Sequence, residues 1–197
     1  LGAIIGGASY LQAVLPPESQ TGIMADRILS SGDRMRRLIA DILDFSRVRL
    51  GGEIPIFPST IDMEDVCSEV VDEVVASNPE RIVQLERTGN VSGTWDRGRV
   101  GQVVSNLVSN ALQHGAKDTS VIVSLIGEAD EVLLKVQNWG PVIAAEDLQT
   151  IFDPIKRLEP DRPESMYRGS LGLGLYIARI VMAAHGGTIE VESSKAK

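Results

Sequence analysis

Val104-Ser105-Asn106-Leu107-Val108-Ser109-Asn110-Ala111-Leu112-Gln113-His114 carries two patterns on one predicted helix. Val100, Val103, Val104, Leu107, Val108, Ala111 and Leu112 recur at three- and four-residue spacing, the stripe a helix over 97–114 turns towards a core. Asn106, Asn110, Gln113 and His114 follow one another at steps of four, three and one. They therefore collect on a neighbouring strip and present amide oxygens and nitrogens to one place. Amide oxygens suit a hard cation such as Mg²⁺, which keeps several waters and takes one or two protein oxygens together with substrate phosphates. Taken alone, such a strip is an ordinary solvated helix face, and it is the rest of the chain that changes the reading.

Two further stretches bear on it. Asn138-Trp139-Gly140-Pro141-Val142-Ile143 directly follows a strand-like run, and its glycine lets a backbone or a flat ligand approach closely. Gly169-Ser170-Leu171-Gly172-Leu173-Gly174-Leu175 opens an apolar helix that continues through Ile177, Ile180 and Val181. A glycine-rich turn feeding a helix offers free N–H groups and the positive end of the helix dipole to phosphates. Neither lysine-bearing phosphate loop is present.

Outward from these stretches, short strands and helices alternate. Ile54 to Ile61 and Arg81 to Arg87 read as strands. Between them Val66, Cys67, Val70, Val71, Val74 and Val75 make an amphipathic helix with Asp62 as its N-cap. Strands are expected over Thr119 to Ile126 and Glu131 to Gln137, then a loop-rich stretch to Ser170, a helix to His185 and a last strand over Thr188 to Glu192. This order predicts an α+β layer with helices on one face of a mixed sheet. Upstream the pattern is different. Ile4, Ala8, Leu11 and Leu15, then Met24, Ile28, Ser31, Met35, Leu38, Ile42 and Phe45, keep heptad spacing in two helices separated at Pro16, Pro17 and Glu18 and ended by Gly51 and Gly52. Two such stripes predict a helical hairpin that pairs with a second copy into a four-helix bundle. The expected domains are therefore 1–50, the hairpin, and 53–197, the α+β unit. Leu1 in mid-helix without a cap, and Lys197 just after a strand-like run, predict further chain beyond both ends.

Composition narrows the function classes. With 27 acidic against 19 basic residues the chain carries a net charge of -8 and no basic patch, which argues against nucleic acid. No window approaches the apolar length of a membrane span, so no membrane contact is expected within this segment. The single cysteine, Cys67, excludes a disulfide framework and favours a reducing, cytoplasmic compartment. Of the two histidines, His114 lies on the polar strip, and His185 beside Gly186 and Gly187 reads as a satisfied helix-end histidine.

An asparagine-rich helix, a strand ending in Asn-x-Gly, then Ile151-Phe152-Asp153-Pro154, then Gly-x-Gly-Leu resembles the ATP-binding domain of sensor histidine kinases, with its N, G1, F and G2 boxes. The resemblance implies an α/β sandwich of the Bergerat type. It makes Asn110 the Mg²⁺ ligand and Asn106 its support, the two catalytic positions. It puts Gln113 and His114 beside the nucleotide, Asn138 and Gly140 at its adenine end, and Gly169, Leu171, Gly172, Leu173 and Gly174 at its phosphates. Ile155 to Arg168 would be the mobile lid, contributing Lys156 and Arg157. Residues 1–49 are similar to the dimerisation and histidine-phosphotransfer hairpin, with the phosphoacceptor upstream of Leu1. Three positions depart from the usual pattern: Asn138 for aspartate, Val142 for the second G1 glycine and Gln113 for the N-box lysine. Asn138 followed by Gly-Pro is also similar to variants among light-sensing bacterial phytochrome kinases. The function so implied is a two-component transferase: ATP- and Mg²⁺-dependent autophosphorylation on a histidine within a homodimer, then phosphotransfer to a response regulator receiver domain. The alternatives are a dimeric phosphotransfer or docking scaffold with a degenerate nucleotide site, and an ATP hydrolase on the same fold. The hydrolase reading needs a basic glutamate where Asn106 stands.

Overall fold

The computed structural model describes residues 1–16, 18–154 and 172–194. The chain forms two compact units, the first of residues 1–52 and the second starting at Glu53.

The first unit is a pair of helices, α1 (Gly2–Val14) and α2 (Gln20–Arg49). Ser19 caps α2, its hydroxyl accepting the Gly22 N–H at 3.0 Å while donating to the Pro16 carbonyl at 2.6 Å. The helices meet through small residues: Ala8, Gly22, Ala25 and Gly32 are buried, and a Cβ on Gly32 would stand 2.8 Å from the Ile5 side chain. The predicted heptad stripe lies largely off this contact. Ile4, Met24, Ile28, Met35 and Ile42 each keep between 43% and 58% of their surface exposed. Close approach of two backbones at glycine and alanine thus leaves the larger apolar side chains facing outward on the single chain.

In the second unit, β1 (Ser59–Asp62) pairs antiparallel with β3 (Ser92–Trp95), Ser59 opposite Trp95. A separate three-stranded sheet has the order β2 (Val83–Thr88), β4 (Val121–Gly127), β5 (Val132–Gln137), with β2 parallel and β5 antiparallel to β4. The expected strand from Ile54 shortens to Ser59–Asp62 because Pro55 and Pro58 have no N–H for a ladder. Helix α3 (Met63–Ser77) starts as read, with the Asp62 carboxylate accepting the Glu64 N–H at 2.9 Å. Helix α4 (Arg97–His114), the four-residue α5 (Ala145–Leu148) and α6 (Gly174–Ala184) complete the unit. Val121, Val123 and Leu125 alternate inward along β4, and Val123 and Leu125 share a core with Val66, Cys67, Val71, Val74, Val100, Val104 and Val108. Burial pushes the Cys67 thiol up to about 12, which makes it an inert core residue.

One expected element is absent: residues 188–194 form no strand, although burial alternates residue by residue there. The alternation records which side faces the core, whereas a strand also needs a ladder neighbour. Here the segment is joined to Ile143 by a side chain, the Ile143 N–H donating to the Ser193 hydroxyl at 3.0 Å.

Candidate functional site

Helix α4 is the frame of the site. Its N-cap, Asp96, accepts the Arg99 N–H at 3.0 Å through one carboxylate oxygen and the Phe57 N–H at 2.8 Å through the other. Burial acts to raise the Asp96 pKa, but the N–H groups of Phe57, Arg99 and Gly98, with the Arg99 charge, outweigh it and hold the carboxyl below its ordinary value. The Asp96 N–H donates to His185 Nε2 at 3.1 Å. His185 must then carry its proton on Nδ1, which lies 2.8 Å from the Val181 carbonyl. His185 is the satisfied helix-end histidine expected, and it also ties the end of α6 to the start of α4.

The opposite end of α6 is tied to the middle of α4. Asn106 Nδ2 donates to the Gly174 carbonyl at 3.1 Å, and a Cβ on Gly174 would sit 3.3 Å from Asn106 Oδ1. Leu173, Tyr176, Ile177, Ala178 and Val181 are buried and seat α6. Its first turn follows Gly172 at φ +69° and has no side-chain cap among the described residues. Uncapped N–H groups at the positive end of a helix dipole are an anion-binding arrangement. Gly172, Leu173 and Gly174 thus stand at the mouth of α6, beside Asn106.

At the C-terminal end of α4 lies the turn carrying Asn138 and Gly140. The Ala116 N–H donates to the Trp139 carbonyl at 2.6 Å. A Cβ on Gly140 would come within 2.6 Å of the His114 carbonyl, and one on Gly115 within 2.6 Å of the Ala111 carbonyl and 3.3 Å of Asn138 Cβ. Both glycines are there because backbone passes against backbone. Asn110 is half-buried on α4 between these fastenings, while Gln113, His114, Asn138 and Gly140 are exposed. At 1.5 Å per residue, Asn106 and His114 are about 12 Å apart along the axis. Lys156, Arg157, Gly169 and Leu171, with the rest of the expected lid, lie outside the described residues. Among the described residues no cluster of three His, Cys, Asp or Glu side chains could hold a metal unaided. An amide oxygen such as that of Asn110 fits a Mg²⁺ whose remaining ligands are waters and phosphate oxygens. Two side chains that sequence reasoning did not single out bear on the site: Asp96, through its link to His185, and Arg81, whose guanidinium reaches the Gly115 end of α4.

The family model described as histidine kinase-, DNA gyrase B- and HSP90-like ATPase matches residues 95–197, just over half of the chain. The chain belongs to this family of ATPases. The match begins one residue before Asp96, so the helix, turn and glycine mouth described above all lie within it. The chain is 33% identical over 175 residues to a bacteriophytochrome of Pseudomonas aeruginosa, covering 89% of this chain and 24% of that protein. It is 31% identical over 195 residues to the probable sensor histidine kinase TcrY of Mycobacterium tuberculosis, covering 98% of this chain and 40% of that one. The chain thus spans well under half the length of these relatives. The Acinetobacter baumannii histidine kinase AdeS has a similar fold, with a TM-score of 0.65 and 22% identity over 97% of this chain and 87% of that one. The likeness to a sensor histidine kinase core, expected from the order of the four boxes, is present in sequence and in fold.

Proposed function

We propose that this chain is the catalytic core of a sensor histidine kinase. It binds Mg²⁺-ATP in its second unit and donates the γ-phosphoryl group to a histidine, from which the group passes to an aspartate of a response regulator. The observation that carries the reading is the double fastening of α4: Asn106 to Gly174 at the glycine mouth and Ala116 to Trp139 at the Asn138 turn, with Asn110 between them. A nucleotide needs one end that reads a base and another that holds phosphates, and one rigid helix here serves both.

The roles follow from the groups. The first-turn N–H groups of α6 hold phosphate oxygens. The Asn110 amide oxygen would hold Mg²⁺, which would supply positive charge to offset that of the phosphates. Asn138 and Gly140 receive the adenine, and Asn106 keeps the mouth of α6 on α4. As the imidazole nitrogen bonds to the γ-phosphorus, the bond to the bridging oxygen breaks and ADP leaves with that electron pair. Such transfer depends on positioning and charge stabilisation rather than on a strong base. Water activation by Asn106, as an ATP hydrolase would need, is disfavoured twice: an amide is no base, and its nitrogen is bonded to Gly174.

The exposed heptad stripe of α1 and α2 supports pairing with a second copy as a four-helix bundle. Among the described residues no helix is long and apolar enough to cross a membrane. The relative named a bacteriophytochrome, and the Asn138-Trp139-Gly140-Pro141 turn, favour a light-sensing subgroup.

The test is calorimetric titration with a non-hydrolysable ATP analogue, with and without Mg²⁺, on the wild type and Asn110→Ala. Mg²⁺-dependent binding that Asn110→Ala abolishes is expected. Wild-type binding that Asn110→Ala leaves intact would remove Asn110 from the metal site. No wild-type binding at millimolar analogue would favour the phosphotransfer scaffold, a reading motivated by Asn138, Val142 and Gln113.

A further inference from the structure

Arg81 stands just before β2, on a firm base. Its own N–H donates to the Asn78 carbonyl at the end of α3 at 2.9 Å, and the carbonyl of the next residue, Ile82, accepts the Val121 N–H at 2.9 Å. From there the side chain runs inward. Nε and Nη2, which form one edge of the guanidinium, are buried and meet no hydrogen-bond partner among the described residues. Nη2 lies 3.4 Å from the point a Cβ on Gly115 would occupy, Asn138 Cβ lies 3.3 Å from that same point, and the Ala111 carbonyl oxygen lies 2.6 Å from it. Arg81 and Asn138 therefore flank Gly115 at the C-terminal end of α4.

Desolvating a cation is costly, and buried donors without acceptors are rare. The location offsets part of that cost, because the last carbonyls of α4 and the negative end of its dipole favour a positive charge. Packing alone does not call for an arginine there, since an apolar side chain of similar length would fill the space without burying donors. What a guanidinium adds is a flat, charged wedge beside the helix end. Its neighbour across Gly115 is Asn138, the residue assigned to the base.

The geometry points to Arg81 as a positioning residue that sets the Asn138–Gly140 turn against α4 and thereby the base selectivity of the nucleotide site. This inference rests on the nucleotide reading above. An asparagine amide offers an acceptor on one side and donors on the other. Adenine presents an amino group where guanine presents a carbonyl, so discrimination depends on where the amide is held. A shift of even half an ångström in a supporting residue is enough to blur such a reading. Arg81 touches neither phosphate nor metal ligand in this assignment, so its effect is confined to the base end.

The experiment compares wild type, Arg81→Met and Arg81→Lys as full chains, titrated with non-hydrolysable ATP and GTP analogues in Mg²⁺, with urea unfolding of each. Arg81→Met is expected to weaken the ATP analogue by about tenfold and to narrow its preference over the GTP analogue. Arg81→Lys, which keeps the charge, is expected to recover part of the affinity. Unchanged affinity and preference in Arg81→Met would overturn the inference. So would equal loss of both nucleotides in step with lowered stability, which is what a purely structural residue produces. A wild type that binds neither analogue would instead remove the nucleotide reading, and this inference with it.

Discussion

Gly140→Ala puts the fastening of the Asn138 turn under direct strain. The added Cβ would stand 2.6 Å from the His114 carbonyl oxygen and 3.5 Å from Gly115 Cα, both backbone atoms. An ordinary contact begins near 3.4 Å. Neither neighbour can rotate away, because His114 ends α4 and the following segment is bonded to Trp139 through the Ala116 N–H. The turn or the helix end must shift, and overpacking of this kind costs about 1–3 kcal/mol. With urea m-values of about 1–3 kcal/mol/M for domains of this size, the midpoint falls by roughly 1 M while m is unchanged. Gly98→Ala is the control: its Cβ would be 3.5 Å from the Asp96 carboxylate, an ordinary contact on the same helix, so stability stays within about 0.5 kcal/mol of wild type. Urea unfolding followed by circular dichroism reads both. If Gly140→Ala unfolds at the wild-type midpoint, the turn is not held against α4 and the assignment of Asn138 to a fixed site fails.

Two further outcomes follow from other parts of the chain. Because the Asp96 carboxyl is held below its ordinary value, its contribution to stability is present above the unfolded value near 3.8 and is lost as pH falls through the lowered folded value. Asp96→Asn is therefore expected to flatten the stability curve on the acid side, checked by urea midpoints between pH 6 and pH 2.5; a curve parallel to wild type counts against the carboxylate's role. On the proposed pairing the wild type sediments at twice 21.2 kDa, and Ile28→Glu combined with Ile42→Glu, which places charges on the exposed stripe of α2, is expected to reduce the mass in sedimentation equilibrium to 21.2 kDa. A double variant that stays dimeric would put the pairing surface elsewhere.

How much was legible in the sequence depended on how local the cause was. Helix α4 was read with its observed ends from its apolar stripe, and the groups that bound it, Asp96 as cap and Gly115 after the last turn, are local too, although the sequence reading did not use them. The strand from Ile54 was overextended although Pro55 and Pro58 stood in plain view, a case of apolar alternation outweighing missing donors. Strand β3 was missed because four residues, one of them glycine, carry too little periodicity to register. The heptads in α1 and α2 were legible as a pattern. That the hairpin closes through Ala8, Gly22, Ala25 and Gly32 was not, since small residues give no hydropathy signal. For the site, the strip from Asn106 to His114 could be read, but the bond from Asn106 to Gly174 spans 68 residues and no spacing rule reaches it. Arg81 was the least legible, because an arginine before a strand reads as solvated until its guanidinium is found buried.

These long-range ties share a direction. Asp96 to His185 and Asn106 to Gly174 fix both ends of α6 to α4, and Ala116 to Trp139 fixes the Asn138 turn to the same helix. A site built by two independent elements could change its phosphate end without moving its base end. Here both ends are referred to one rigid helix, so altering either fastening changes the separation between them. On the proposed reading that separation is what a nucleotide would measure, so the departures at Asn138, Val142 and Gln113 alter single contacts while the fastenings keep the frame. The order of sensitivity follows: substitutions that shift α4 against α6 or against the Asn138 turn should impair nucleotide binding more than substitutions at the exposed Gln113 or Val142, which alter a contact and leave the frame intact.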